Sequence, residues 1–269
     1  MIWPWIHILI AYAMYILFAL GSSVAIAKIA GDMRDMSTRN SARVLLLGTV
    51  ANLLILVGML LLVVLLEERP ISVLGTGMGG ADALAAFGGA FAIFFSALGF
   101  IGVLRGIGRL ETVAFVRPAA SRSAAAPLAL GLILLLAVAL QEEVLNRGYV
   151  TLNLRSHGPL TIILISTTLF TAIHFLTNRG GFYQVVSWVI GGLILILSYV
   201  LSGSLWVPVT LHFATDAANV LTFNITGQGS AVISSPPVSQ GQRAAFRLVY
   251  GAVLVGILFA IYGTTFALP

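Results

Sequence analysis

Gln141-Glu142-Glu143-Val144-Leu145-Asn146-Arg147-Gly148 follows a ten-residue run, Gly131 to Leu140, made only of Gly, Leu, Ile, Val and Ala. Two adjacent carboxylates and a guanidinium therefore sit inside what otherwise reads as a hydrocarbon-embedded helix. An ionisable group at that depth costs at least ~2.5 kcal/mol on insertion scales, and its default reading is a functional site facing the protein interior. Helical geometry sorts the three. Glu143 and Arg147 stand at i and i+4 and can pair. Glu142 is turned about 100° away and lacks that local partner. The spacing predicts one carboxylate neutralised locally and the other left for chemistry.

Composition agrees with the membrane reading. Of 269 residues, 59% are hydrophobic and only 9% charged, and mean hydropathy is +1.05. A soluble domain carries about 25% charged residues. The expected fold is all-α, a polytopic membrane helix bundle of about eight transmembrane helices. It forms a single domain over residues 1–269, with a motif-bearing core at about 127–225. No cysteine is present, which excludes disulfides and thiolate metal sites.

The apolar runs cover about Trp3–Ala27, Val44–Leu66, Ala81–Leu104, Pro127 to the Ser156–Pro159 turn, Leu160–Thr177, Phe182–Leu201, Pro208–Ile225 and Ala244–Phe266. The first lacks an N-terminal Lys or Arg and is far longer than the ~7–15 residues of a signal-peptide core, so it reads as a retained span. Gly, Ala and Ser in the third suggest close helix packing in the centre of the bundle. The loops after the first, third, fifth and seventh spans hold Lys28, Arg34, Arg39, Arg43, Arg105, Arg109, Arg117, Arg122, Arg179, Arg243 and Arg247. The other side holds Arg69, Arg155 and the motif's Arg147. The positive-inside rule puts the richer side in the cytoplasm and both termini outside. The net charge of +5 is thus a topology signal and needs no nucleic acid as partner.

Three polar patches stand out: Glu142, Glu143 and Arg147; His174 with Phe170 one turn before it; and His212, Asp216 and Asn219 on one stripe of the seventh span. Glu142 and His174 are each 15 or 16 positions from the Ser156–Pro159 turn, roughly 20–24 Å along their helices at ~1.5 Å per residue. In an antiparallel hairpin they face each other at similar depth. His212 requires its helix to start deep, with the preceding segment re-entering the protein, because it lies only a few residues beyond the Pro208 break. A single His can simply bond a neighbouring helix, and a Glu–Arg pair can be structural. Two acidic groups and two His on three spans exceed what packing needs, and are the usual ingredients of acid–base chemistry. There is no H-E-x-x-H, no G-x-S-G motif and no matching Asp pair, which excludes the corresponding protease chemistries.

These residues resemble a known family. Glu142-Glu143-Val144-Leu145-Asn146-Arg147 is similar to its E-E-x-x-x-R motif, Phe170-Thr171-Ala172-Ile173-His174 to F-x-x-x-H, and His212-Phe213-Ala214-Thr215-Asp216 to H-x-x-x-N/D. That family is the type II CAAX prenyl endopeptidase and bacteriocin-processing (abortive-infection) family of intramembrane proteases. The resemblance spans about Gln141 to Asn219 and implies a glutamate-dependent endopeptidase acting on a membrane-associated protein or peptide, lipidated or not. Under it, Glu142 activates water, His174 helps position it, and His212 with Asp216 forms the oxyanion hole. Glu143, Arg147, Asn219 and Phe170 support the site. No cofactor is implied; a divalent metal is compatible but not required. Asp216 stands where the family's better-known members have Asn, and an ionised Asp cannot donate a hydrogen bond. Burial among Val220 and Phe223 would keep it protonated and able to donate; otherwise it orients His212 or ligates a metal. The bilayer is the expected partner and the cell membrane the expected location. The competing reading is a non-enzymatic membrane protein, either an immunity or scaffold member or a proton- or cation-coupled carrier. A carrier would favour repeated halves, which the chain lacks.

Overall fold

A chain this apolar must satisfy its backbone N–H and C=O groups internally, and helices do so within each segment. The computed structural model describes residues 3–31, 41–115, 122–177, 180–223 and 232–268. Arg34, Arg39, Arg117, Arg179 and Ile225, used in the sequence reading, lie outside these residues. Among the described residues there are eight long helices. α1 is Trp3–Ala30, α2 is Ala42–Leu61, running on through a π-helical turn Leu62–Leu66, and α3 is Gly80–Gly106. α4 is a composite rod: Arg122–Glu143, a π-helical stretch Val144–Tyr149, a helical turn Val150–Leu154 and a 3₁₀ turn Arg155–His157. α5 is Pro159–Thr177, α6 Phe182–Ser202, α7 Trp206–Phe223 and α8 Gln240–Tyr262.

The expected bundle of about eight helices is therefore present, with one qualification. Seven of the helices are long and apolar enough to cross a membrane. The eighth, α7, is buried along most of its length and carries His212, Thr215, Asp216 and Asn219. Protein surrounds it in place of lipid, so it need not be apolar. Two other expectations shift. α4 begins at Arg122, so Pro127 lies inside the helix and not in its first turn. α3 packs Ala85, Ala86, Gly89 and Ala97 inward but turns Leu84, Phe87, Phe91 and Phe95 outward. It is a rim helix with one small-residue face against α7 and α8, and does not occupy the centre.

The loops sort to two ends. At one, the turn between α6 and α7 is gripped by the segment after α2: Leu205 N–H donates to Gly75 O (2.8 Å), Ser204 Oγ–H to Gly77 O (2.7 Å) and Trp206 Nε1–H to Thr76 O (2.9 Å). The tail after α8 joins them, Ala267 N–H donating to Val200 O (2.7 Å). These bonds satisfy a backbone break that would be costly away from water. They allow α7 to start only six residues before His212. At the other end β1 (Thr112–Phe115) pairs antiparallel with β2 (Val232–Ser235), tying the loop after α3 to the loop after α7. Neither strand was expected, because four residues are too few to show a period. Two apolar cores result, one around α1, α2, α4 and α5, the other around α3 and α8. α6 and α7 contribute to both.

Gly75 makes the grip possible. It holds a left-handed φ of 71°, and an added Cβ would collide with the Gly203 carbonyl oxygen. Gly75→Ala is expected to cost at least ~1 kcal/mol from backbone strain alone, and more from the collision, seen as a lower Tm in detergent. Gly77→Ala, with open space around it, is the control and should leave Tm unchanged.

Candidate active site

The site starts from the π-helical stretch that follows Glu143 directly. Such stretches are rare and concentrate at functional positions, and all six residues here are buried. Asn146 pins it from three sides. Its Nδ2–H donates to Glu142 O (2.8 Å), its Oδ1 accepts from the Tyr12 hydroxyl on α1, and its carbonyl accepts from Ser166 Oγ–H on α5 (2.7 Å). The backbone carrying Glu142 is thus held by two neighbouring helices.

Glu143 and Arg147 pair as their spacing predicts, with Arg147 Nε 3.0 Å from Glu143 Oε2, and both side chains are fully buried. Arg147 reaches further. Its Nη2–H donates to Gly192 O on α6 (3.3 Å), and its guanidinium lies 4.5 Å above the Phe170 ring, a cation–π contact. Gly192 is small for a reason: a Cβ there would press on Phe170 and Thr167 at 3.2 and 3.3 Å. Glu143 is more than Arg147's counter-ion, since its Oε1 accepts from His212 Nδ1–H at 2.7 Å. A chain of contacts therefore runs from Arg147 through Glu143 to His212.

That chain aims the other ring nitrogen of His212 into a cavity. His212 Nε2 lies 3.5 Å from Asp216 Oδ2 and 3.9 Å from Glu142 Oε2. His174 approaches from α5, its Nε2 3.7 Å from the same Glu142 oxygen. Its Nδ1 is 2.9 Å from Phe170 O; a carbonyl can only accept, so the proton there belongs to Nδ1. Phe170 stacks on His174 with ring centroids 4.3 Å apart and meets His212 edge-on at 6.1 Å.

Glu142, His174, His212 and Asp216 thus meet on three helices, with Phe170, Glu143 and Arg147 behind them. They line a cavity of about 300 Å³ whose wall also includes Asn219, Leu135, Trp188 and Leu254. Asp216 differs from expectation. Its side chain is 27% exposed because it faces this open cavity and is not sealed among apolar residues. Among the described residues, no group of three or more His, Asp or Glu is arranged to hold a metal ion.

Residues 124–218 match a family model described as Type II CAAX prenyl endopeptidase Rce1-like. That stretch is similar to this family. No curated protein and no solved structure matches the chain. The Rce1-like match runs from α4 into α7 and contains all three motifs, while Asn219 falls one residue beyond it. It also stops short of α8, which supplies Arg243, Arg247 and Tyr250 to the cavity wall. The sequence reading missed these as site residues, having counted both arginines as loop charges. The available signal was their i, i+4 spacing at the edge of an apolar span.

Removing Arg147 leaves Glu143 buried with His212 as its remaining partner among the described residues. Arg147→Ala should therefore lower stability by ~3–5 kcal/mol, as in comparable buried pairs. The reading is folded yield and Tm in detergent; a variant with unchanged Tm would show the pair to be dispensable.

Proposed function

We propose that this protein is a glutamate-dependent intramembrane peptidase that cleaves a membrane-associated protein or peptide. The observation that carries the proposal is the approach of one Glu142 oxygen to Nε2 of both His174 and His212, at 3.7 and 3.9 Å. These separations exceed a direct hydrogen bond and suit groups that act on one water molecule between them.

In this reading Glu142 takes a proton from water as the water oxygen attacks the scissile carbonyl. His174, with Nδ1–H committed to Phe170 O, turns its Nε2 lone pair toward the water's second hydrogen. Both groups accept, so the water's lone pair points at the carbonyl. Negative charge on the carbonyl oxygen is met by His212 Nε2–H; because Nδ1–H is already donated to Glu143, His212 acts here as the imidazolium, with both ring nitrogens donors, between the Glu143 and Asp216 carboxylates. When the C–N bond breaks, the proton on Glu142 passes to the departing nitrogen, and a carboxylic acid and an amine result. Asp216, 3.5 Å from His212 Nε2 and open to the cavity, acts best as an ionised carboxylate orienting His212. The protonated-donor role has less support, because the burial it relied on is incomplete. The reaction as written draws on no metal.

Entry follows from the same geometry. His174 lies in the last turn of α5, Gln184 and Trp188 in the first two turns of α6, and Arg243 and Arg247 in the first two of α8. The cavity therefore faces the end that carries Lys28, Arg43, Arg105 and Arg109. By the positive-inside rule this is the cytoplasmic side, so the substrate is approached from there.

Glu142→Gln keeps the volume but cannot take a proton, and should lower cleavage by at least ~10²-fold, the usual range for a general base, with Tm unchanged. Unaltered cleavage by this variant would exclude Glu142 as the base. Asp216→Asn should also lose activity, without chelator sensitivity in the parent enzyme. Inhibition by chelator, reversed by a divalent ion, would instead make Asp216 and the histidines metal ligands. Cleavage is measured on a quenched-fluorescent peptide or a candidate membrane substrate.

A further inference from the structure

Arg243 and Arg247 lie one helical turn apart in the first two turns of α8, and both line the cavity. Nothing in the helix favours them there. Like charges at i, i+4 repel, and the N-terminal turns are the positive end of the helix dipole, where cations are disfavoured. Neither arginine forms an ion pair with a carboxylate among the described residues. A charge placed only to mark topology would extend outward to headgroups and water. Arg247 does the opposite. Its Nη1–H donates to Ser187 O on α6 (2.9 Å), and the guanidinium lies over Gly191, where a Cβ would meet Nη1 at 2.8 Å. Two features of α6, a carbonyl and a missing side chain, thus hold this head group at the cavity wall. One of its five donors is used, and the planar fork that remains matches a carboxylate.

We infer that Arg247, with Arg243 beside it, forms a cationic subsite that binds a carboxylate of the peptide substrate. The inference rests on the peptidase reading. It sets a specificity element on α8, outside the stretch that matches the family model. Glu142, the two histidines, Asp216 and the two arginines line one cavity, with Arg247 near enough to Asp216 for its charge to act there although the two form no ion pair. Much of the remaining wall is apolar, with Leu135, Val138, Ile194, Leu211, Val220 and Leu254. A short apolar peptide segment bearing a carboxylate fits that lining. The carboxylate can be the C-terminal group or an acidic side chain, and both have the same chemistry.

The test uses the full chain in lipid nanodiscs, with Glu142→Gln added so that binding is read without turnover. Three probes are titrated: acetyl-trileucine as the free acid, the same peptide as its amide, and acetyl-Leu-Asp-Leu amide. Binding is followed by tryptophan fluorescence, with Trp188→Phe to show that the signal comes from the cavity. At least one carboxylate peptide should bind about tenfold more tightly than trileucine amide, and Arg247→Gln should remove that difference while leaving amide binding and Tm unchanged. Preference for the free acid identifies a C-terminal carboxylate, and preference for the Asp peptide an acidic side chain. Equal binding of all three, no binding by either carboxylate peptide, or an equal loss for acid and amide in Arg247→Gln overturns the subsite. So does an Arg247-dependent signal that follows added phosphatidylglycerol and ignores the peptide carboxylate. Arg247-dependent binding of a peptide that the parent protein never cleaves would leave the subsite standing and remove the peptidase reading instead.

Discussion

The buried contact between Arg147 and Glu143 is the interaction on which the rest of the site depends. Both side chains are wholly removed from solvent, so neither charge is tolerable without the other. Meeting that constraint occupies much of the surrounding structure. Glu143 takes Arg147 on one side and His212 on the other. Arg147 takes a carbonyl from α6 and an aromatic face from α5. One ion pair therefore fixes the relative positions of four helices. It also fixes which nitrogen of His212 points into the cavity.

The two ends of the bundle divide the labour. At the end away from the cavity mouth, polar groups are satisfied and static. Glu67 alone accepts from Tyr149 (2.6 Å) and Asn153 (3.2 Å) and contacts His7 (3.0 Å), joining α1, α2 and α4. The segment after α2 supplies the carbonyls that the α6–α7 turn needs. At the other end polar groups line open space. His212, His174 and Arg247 there are each held by a hydrogen bond, to the Glu143 carboxylate, the Phe170 carbonyl and the Ser187 carbonyl. Rigidity at one end lets α7, too polar to face lipid, begin deep and carry His212 to the level of Glu142.

Much of this was legible before any coordinates. Charge scarcity and long apolar runs require a helical membrane bundle, because lipid leaves the backbone few alternatives. The i, i+4 spacing of Glu143 and Arg147 allowed their pairing, since helix geometry is local. The level of Glu142 and His174 followed from counting residues to one turn, since both helices leave that turn and rise is uniform along a helix. Alternation of loops between two ends followed from the number of runs. In each case the deciding quantity is a distance along the chain.

What the chain order could not decide depends on contacts between segments far apart in it. That Glu143 would bind His212 across 69 positions, or that Gly75 would meet Gly203, depends on helix rotation and azimuth. These are set by how side chains from several helices fill shared space. The same holds for Asp216, whose apolar sequence neighbours suggested a sealed environment although tertiary packing left it facing a cavity. It holds too for Arg243 and Arg247. Sequence determined that they are cations at the edge of a span; only the approach of α6, with Gly191 and the Ser187 carbonyl, turned Arg247 toward the site.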